Sequence, residues 1–266
     1  MRGRVLIVAG SDSGGGAGIQ ADIKTVTTLD GFAMTAVTAL TAQNTLGVHG
    51  IHAVPVEFIQ AQMRVVLEDL GADVIKTGML AAAPVIRGVA ECLEQSAPAV
   101  PLVVDPVMVA KGGALLLESE AVKTLKWMLL PRAALITPNL YEAEVLTGLS
   151  IADEAGMLAA AKQLLELGPK AVLVKGGHLE GHLTVDLLLT AEGLTRFADL
   201  RIDTRHSHGT GCTLASAIAC GIAQGLALPD AVARARAYVR RALETAPGFG
   251  RGNGPLNHAH TVRRDA

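Results

Sequence analysis

Short runs of β-branched and aliphatic residues recur along this chain, separated by longer segments whose apolar positions fall three and four apart. This alternation of periods constrains the fold more than any single motif, because strands that take turns with helices build a parallel sheet covered on both faces. Strands are expected at residues 4–9, 74–78, 102–104, 134–137 and 171–174. Helices are expected at 17–29, 56–70, 84–94, 121–130, 140–147, 153–167, 211–225 and 230–244. Residues 184–189 and 194–197 read as a hairpin turning through Ala191-Glu192-Gly193. The fold class is therefore α/β, a three-layer α/β/α sandwich with a central, mainly parallel sheet. Half the residues are hydrophobic and only 3% aromatic, which suits small side chains packed between close helices and strands. No linker or repeat divides residues 1–266, so a single domain is expected.

Ligands of such sheets gather at the carboxyl ends of strands. Four polar strings stand at those ends: Gly10-Ser11-Asp12, Asp105-Pro106, Thr137-Pro138-Asn139 and Lys175-Gly176-Gly177. A fifth, His208-Gly209-Thr210-Gly211-Cys212-Thr213, leads into an uncharged helix. The first amides of a helix lack partners within it and lie at the positive end of its dipole, so this run forms an expected phosphate cradle. Cys212 stands at its rim, where the helix terminus is expected to lower the thiol from about 8.5 towards neutrality. Lys175 can neutralise phosphate. Asp105 and Glu142 can share a hydrated Mg²⁺, although Asn139 and Glu142 also satisfy the spacing of a capping box.

Two nucleotide motifs fail on inspection. The string Ala9 to Gly18 lacks the Lys-Ser or Lys-Thr of a P-loop. Gly16-Ala17-Gly18-Ile19-Gln20-Ala21 fits a dinucleotide fingerprint, but residues 35–41 offer no acid for a ribose. The net charge of -2, with no basic block beyond Arg263-Arg264, argues against nucleic acid. Five apolar residues after Arg4 are too few for a signal peptide, and the uncharged stretch 32–56 is too interrupted for a membrane span. Three cysteines without a CxxC pair fit a reducing, cytoplasmic setting, with Cys92 and Cys220 in the core. His258 and His260 lack a third ligand for a metal.

Together, AGSDSGGGAGIQAD (9–22), TALTAQNT (38–45), KTGML (76–80), DPVMVAKGG (105–113), TPNLYEAE (137–144), VKGGH (174–178) and HGTGCT (208–213) resemble the ribokinase-like superfamily. Within it they resemble the hydroxymethylpyrimidine/phosphomethylpyrimidine kinases of thiamine biosynthesis. The glycine-rich string 250–258 is similar to that family's ending. The resemblance implies ATP-dependent phosphorylation of 4-amino-5-hydroxymethyl-2-methylpyrimidine, then of its monophosphate, with Mg²⁺ and a homodimer. It assigns Gln43 to the aminopyrimidine, whose ring nitrogen and amine match the two ends of an amide. It further implies Gly10, Asp22, Met79 and Val107 around the substrate, and Asn139, Lys175, Gly209 and Gly211 at the nucleotide phosphates. Lys111 would belong to a flap over them. Gly209, Thr210, Gly211, Cys212 and Lys175 would carry the transfer, with Cys212 accepting or orienting the hydroxyl proton. Sugar kinases of the wider superfamily carry Asp in its place. A pyridoxal or pyridoxine kinase is the nearest alternative, and a catalytically silent pyrimidine-binding protein the more distant one.

Overall fold

The computed structural model describes residues 1–108 and 119–262. The strands are β1 (Arg4–Asp12), β2 (Phe32–Asn44), β3 (Gly47–Ala53), β4 (Val74–Thr77), β5 (Leu102–Val104), β6 (Leu135–Ile136), β7 (Ala171–Lys175), β8 (Leu183–Thr190) and β9 (Gly193–Leu200). The helices are α1 (Gly18–Thr28), α2 (Val56–Asp69), α3 (Ala83–Ser96), α4 (Ser119–Met128), α5 (Leu140–Thr147), α6 (Glu154–Leu165), α7 (Thr210–Ala223) and α8 (Leu228–Glu244). The nine strands among the described residues join one sheet in the order β3-β2-β1-β4-β5-β6-β7-β8-β9. The six strands β2, β1, β4, β5, β6 and β7 run parallel, and antiparallel neighbours close both edges.

Alternation along each strand explains the layers. Leu6 and Val8 of β1 pack with Ile59, Met63 and Ile86 on one face. Val5 and Ile7 face the other way, into Val26, Ile218 and Val232 of α1, α7 and α8. Each fully buried side chain of this size contributes roughly 1.5–3 kcal/mol. A strand buried on both faces is thus a fixed platform for whatever its end carries. The expected core positions of Cys92 and Cys220 are met.

The hairpin β2–β3 is the element that the periodicity does not announce. Its outer strand is largely exposed and contains two glycines, so no alternation of apolar and polar residues marks it. Residues 249–257 return across the carboxyl end of the sheet. Asn253 N donates to Thr45 O at 2.9 Å, His208 N to Gly254 O at 3.1 Å, and Asn257 N to Ala242 O at 3.0 Å. A Cβ on Gly252 would collide with the Thr45 carbonyl, so only glycine allows this approach. Among the described residues, no helix is long and apolar enough to cross a membrane.

Candidate active site

After β1 the chain moves to β2 on one side and later to β4 on the other, so the strand order reverses at β1. A crevice opens at such a reversal. Here it deepens into a cavity of about 1030 Å³ that reaches from Gln43 to the start of α7 and on to Leu243. Gly10, Met79, Val107, Asp105, Asn139, Glu142, Lys175 and residues 209–212 all line it. A Cβ at Gly10 would strike the Met79 methyl, so the bare glycine and the thioether share one wall.

The amino end of α7 is one electropositive part of this cavity. Gly209 occupies the left-handed region at φ +85, and a Cβ there would run into the Gly16 carbonyl. Among the described residues, no side chain caps the helix. Thr213 N donates to Gly209 O at 2.9 Å, which closes the first helical turn, and Thr210 N makes a long 3.4 Å bond to Ser207 O. A Cβ on Gly211 would stand 3.3 Å from Lys175 Nζ and 3.8 Å from Asp105 Oδ2. Helix terminus, ammonium and carboxylate therefore converge within one phosphate's reach.

Lys175 Nζ donates to Asp105 Oδ1 at 3.0 Å, and Thr137 Oγ1 donates to the same oxygen at 3.0 Å. Burial works against the Asp105 charge, but Lys175 and then Lys76 outweigh it and hold the carboxyl below its usual range. Glu142 behaves oppositely. Burial, with Asp105 nearby, pushes it up to about 7 against the pull of Lys175. The capping box is present: Asn139 N donates to Glu142 Oε2 at 2.7 Å, and Glu142 N donates to Asn139 Oδ1 at 2.9 Å. Asn139 thus lines the cavity with its side-chain oxygen already engaged. Two crowded carboxylates with hard oxygen donors fit a small divalent cation that brings its own waters.

At the other end, Gln43 lies between Thr41 and His208, with its amide atoms 3.1 Å from Thr41 Oγ1 and 3.3 Å from His208 Nε2. His208 Nε2 is also 2.8 Å from Asp12 Oδ2. Asp12 in turn accepts the amides of Gly14, Gly16 and Ala17. The loop after β1 and the loop before α7 are joined through this carboxylate.

The family model described as "Phosphomethylpyrimidine kinase" matches residues 12–257. The chain belongs to the phosphomethylpyrimidine kinase family. It is 53% identical over 257 residues to the thiamine biosynthesis bifunctional protein ThiED of Geobacter sulfurreducens, covering 97% of this chain and 52% of that one. The chain therefore spans about half the length of that relative. It is 48% identical to the hydroxymethylpyrimidine/phosphomethylpyrimidine kinase of Streptomyces coelicolor, across 96% of this chain and 93% of the other. The pyridoxal kinase from Staphylococcus aureus in complex with AMP-PCP and pyridoxal superposes with a TM-score of 0.91 at 33% identity, covering 99% of this chain and 96% of that one.

Two expectations for this phosphomethylpyrimidine kinase family member need correction. Cys212 is not an activated thiol. Burial, with Asp22 and Asp105 nearby, pushes it up to about 11 against the pull of Lys76, so it is protonated at neutral pH. Asp22 does not line the cavity but is fully buried, where Lys76 Nζ contacts both its oxygens at 3.0 and 2.9 Å and Ser216 Oγ donates at 2.6 Å. Lys76, to which sequence reasoning assigned no role, takes Asp22's place at the cavity wall. Its signal was a lone cation inside an apolar strand. Lys111 lies outside the described residues.

Proposed function

We propose that the protein phosphorylates 4-amino-5-hydroxymethyl-2-methylpyrimidine and then its monophosphate, as one kinase domain using ATP. The observation that carries this reading is the continuity of one cavity between the Gln43 amide and the uncapped start of α7. An amide can pair with a ring nitrogen and an exocyclic amine together, whereas an ionised carboxylate could only accept. Met79 and Val107 give the ring apolar walls. The triphosphate lies along Gly209–Cys212 and Lys175, and its base points towards the apolar residues Leu200, Ile202, Val239 and Leu243 at the far end. Asp105 and Glu142 would hold Mg²⁺, which when bound supplies neutralising charge to the nucleotide phosphates.

In the first step the hydroxymethyl oxygen bonds to the γ-phosphorus while the bond to the β,γ-bridging oxygen breaks. Charge gathers on the transferring group and the leaving diphosphate, where the α7 amides and Lys175 stabilise it. Cys212, as a neutral thiol, orients the hydroxyl, and the proton departs late, to an oxygen of the transferred phosphoryl group and from there to water, as a loose transition state allows. The second step has a phosphate oxygen as nucleophile and needs less help. Lys175→Ala should raise the ATP KM and lower kcat/KM for ATP by roughly 10²–10³, with pyrimidine binding intact in calorimetry.

A homodimer covering the exposed apolar side chains of the β2–β3 hairpin, working in the cytoplasm, belongs to the same reading. Its three unpaired cysteines agree with a reducing compartment. Incubating the purified protein with ATP, Mg²⁺ and the hydroxymethylpyrimidine, or with pyridoxal in parallel, tests the activity. Mono- and then diphosphorylated pyrimidine is the expected product. Turnover of pyridoxal alone, or of neither compound, would overturn the assignment.

A further inference from the structure

The surroundings of Gln43 decide which way round its amide lies. Amide nitrogen and oxygen are told apart by their partners rather than by position. Asp12 accepts three backbone amides, and although its burial favours the proton, His208 and these amides outweigh it and hold the carboxyl below its usual range. A carboxylate only accepts, so His208 Nε2, 2.8 Å away, carries a proton whether the ring is neutral or charged. The Gln43 atom 3.3 Å from that same nitrogen therefore faces an N–H group, whose proton is held chiefly by Asp12 and which has no lone pair to accept an amide proton. It must be the carbonyl oxygen.

The other end gives the same answer independently. Thr41 Oγ1 has one proton, which it donates to Ser11 O at 2.8 Å. Towards the Gln43 atom 3.1 Å away it has only a lone pair to offer, so that atom must be the nitrogen. Placing nitrogen at His208 and oxygen at Thr41 would oppose two donors at the first contact and demand a second hydroxyl proton at the other. A half-turn of the amide removes both conflicts.

We infer that Gln43 rests with its nitrogen on Thr41 and its oxygen on His208, so that Asp12, His208 and Thr41 are positioning residues that set the donor–acceptor order of the acceptor pocket. One N–H and one oxygen lone pair are left for a ligand. The ligand consequence rests on the aminopyrimidine reading: the ring nitrogen lies on the Thr41 side and the amine on the His208 side. A 4-oxo analogue, offering N–H and carbonyl where the substrate offers nitrogen and amine, meets the reverse order.

The orientation is read by NMR on the ligand-free protein. Contacts between the Gln43 side-chain amide protons and the Thr41 methyl are expected; contacts to the His208 ring protons instead would overturn the inference. Kinetics with the amino and 4-oxo pyrimidines test its consequence. His208→Phe and Thr41→Val should each raise the KM for the aminopyrimidine by roughly tenfold and narrow its advantage over the oxo analogue. His208→Gln, which can return an N–H, should recover most of the loss. An unchanged pyrimidine KM in both variants, or no recovery with Gln, would refute the positioning role. If the expected NMR contacts are found but neither pyrimidine is a substrate, the function reading fails while the amide assignment stands.

Discussion

Glu142 is asked to do two opposed things. It caps α5 with a carboxylate oxygen, yet it is buried beside Asp105 and titrates near 7. Its folded value is raised above the ordinary 4.5, so the fold binds its proton more tightly than the unfolded chain does. The resulting penalty is absent below about pH 4.5, grows between there and pH 7, and is complete above. At 1.4 kcal/mol per unit it reaches on the order of 3 kcal/mol. Glu142→Gln keeps an acceptor for Asn139 N and should raise the Tm at pH 8 but not at pH 4.5, while abolishing kinase activity. Equal Tm changes at both pH values would contradict this account. Cys212 yields a kinetic counterpart. Cys212→Ala should slow the first phosphorylation roughly ten- to a hundredfold and the second much less. The ratio of wild type to variant should stay flat from pH 7 to 9. A ratio rising tenfold per pH unit would mean that the thiolate acts as a base after all.

Among the elements, α7 is the one on which the proposed transfer relies, and the space between its first turn and the Lys175 ammonium depends on an absent side chain. Gly211→Ala would place a methyl 3.3 Å from Lys175 Nζ, in the passage that the phosphates must use. The helix itself should gain from alanine, by up to about 1 kcal/mol. The expected outcome is a protein of equal or higher Tm whose kcat falls by at least tenfold; retained kcat would dissociate the α7 terminus from transfer. The strand ends and α7 were legible in the sequence because periodicity and glycine-flanked polar strings are local signals. Asp22 was misplaced and Lys76 given no role for the opposite reason. Their meaning lies in a contact across 54 residues and in Ser216 of a third element, and no local pattern encodes that. Strand β3 was missed because a solvated edge strand imposes no apolar rhythm. The thiol was misjudged because the desolvating walls and the two carboxylates around it, Asp22 and Asp105, are assembled only in the folded chain.

Across the whole molecule, one long sheet has both its edges formed by antiparallel hairpins, and these differ in character. Leu40, Leu46 and Ile51 of the β2–β3 hairpin are exposed, on an edge that otherwise invites pairing with another chain. Ile51→Lys should convert a dimer to a monomer in sedimentation experiments. A wild type that is already monomeric at micromolar concentration would remove the homodimer from the proposal.

The returning segment around Gly252 ties residues 207 positions apart, beside the very turn that follows Gln43. Closing so long a loop is slow compared with assembling neighbouring strands and helices. During synthesis, therefore, a ribosome can have released nearly the entire sheet while the vitamin-precursor end of the crevice is still unfinished. The Gln43 end of the crevice thus waits for a segment made after the strands that carry it.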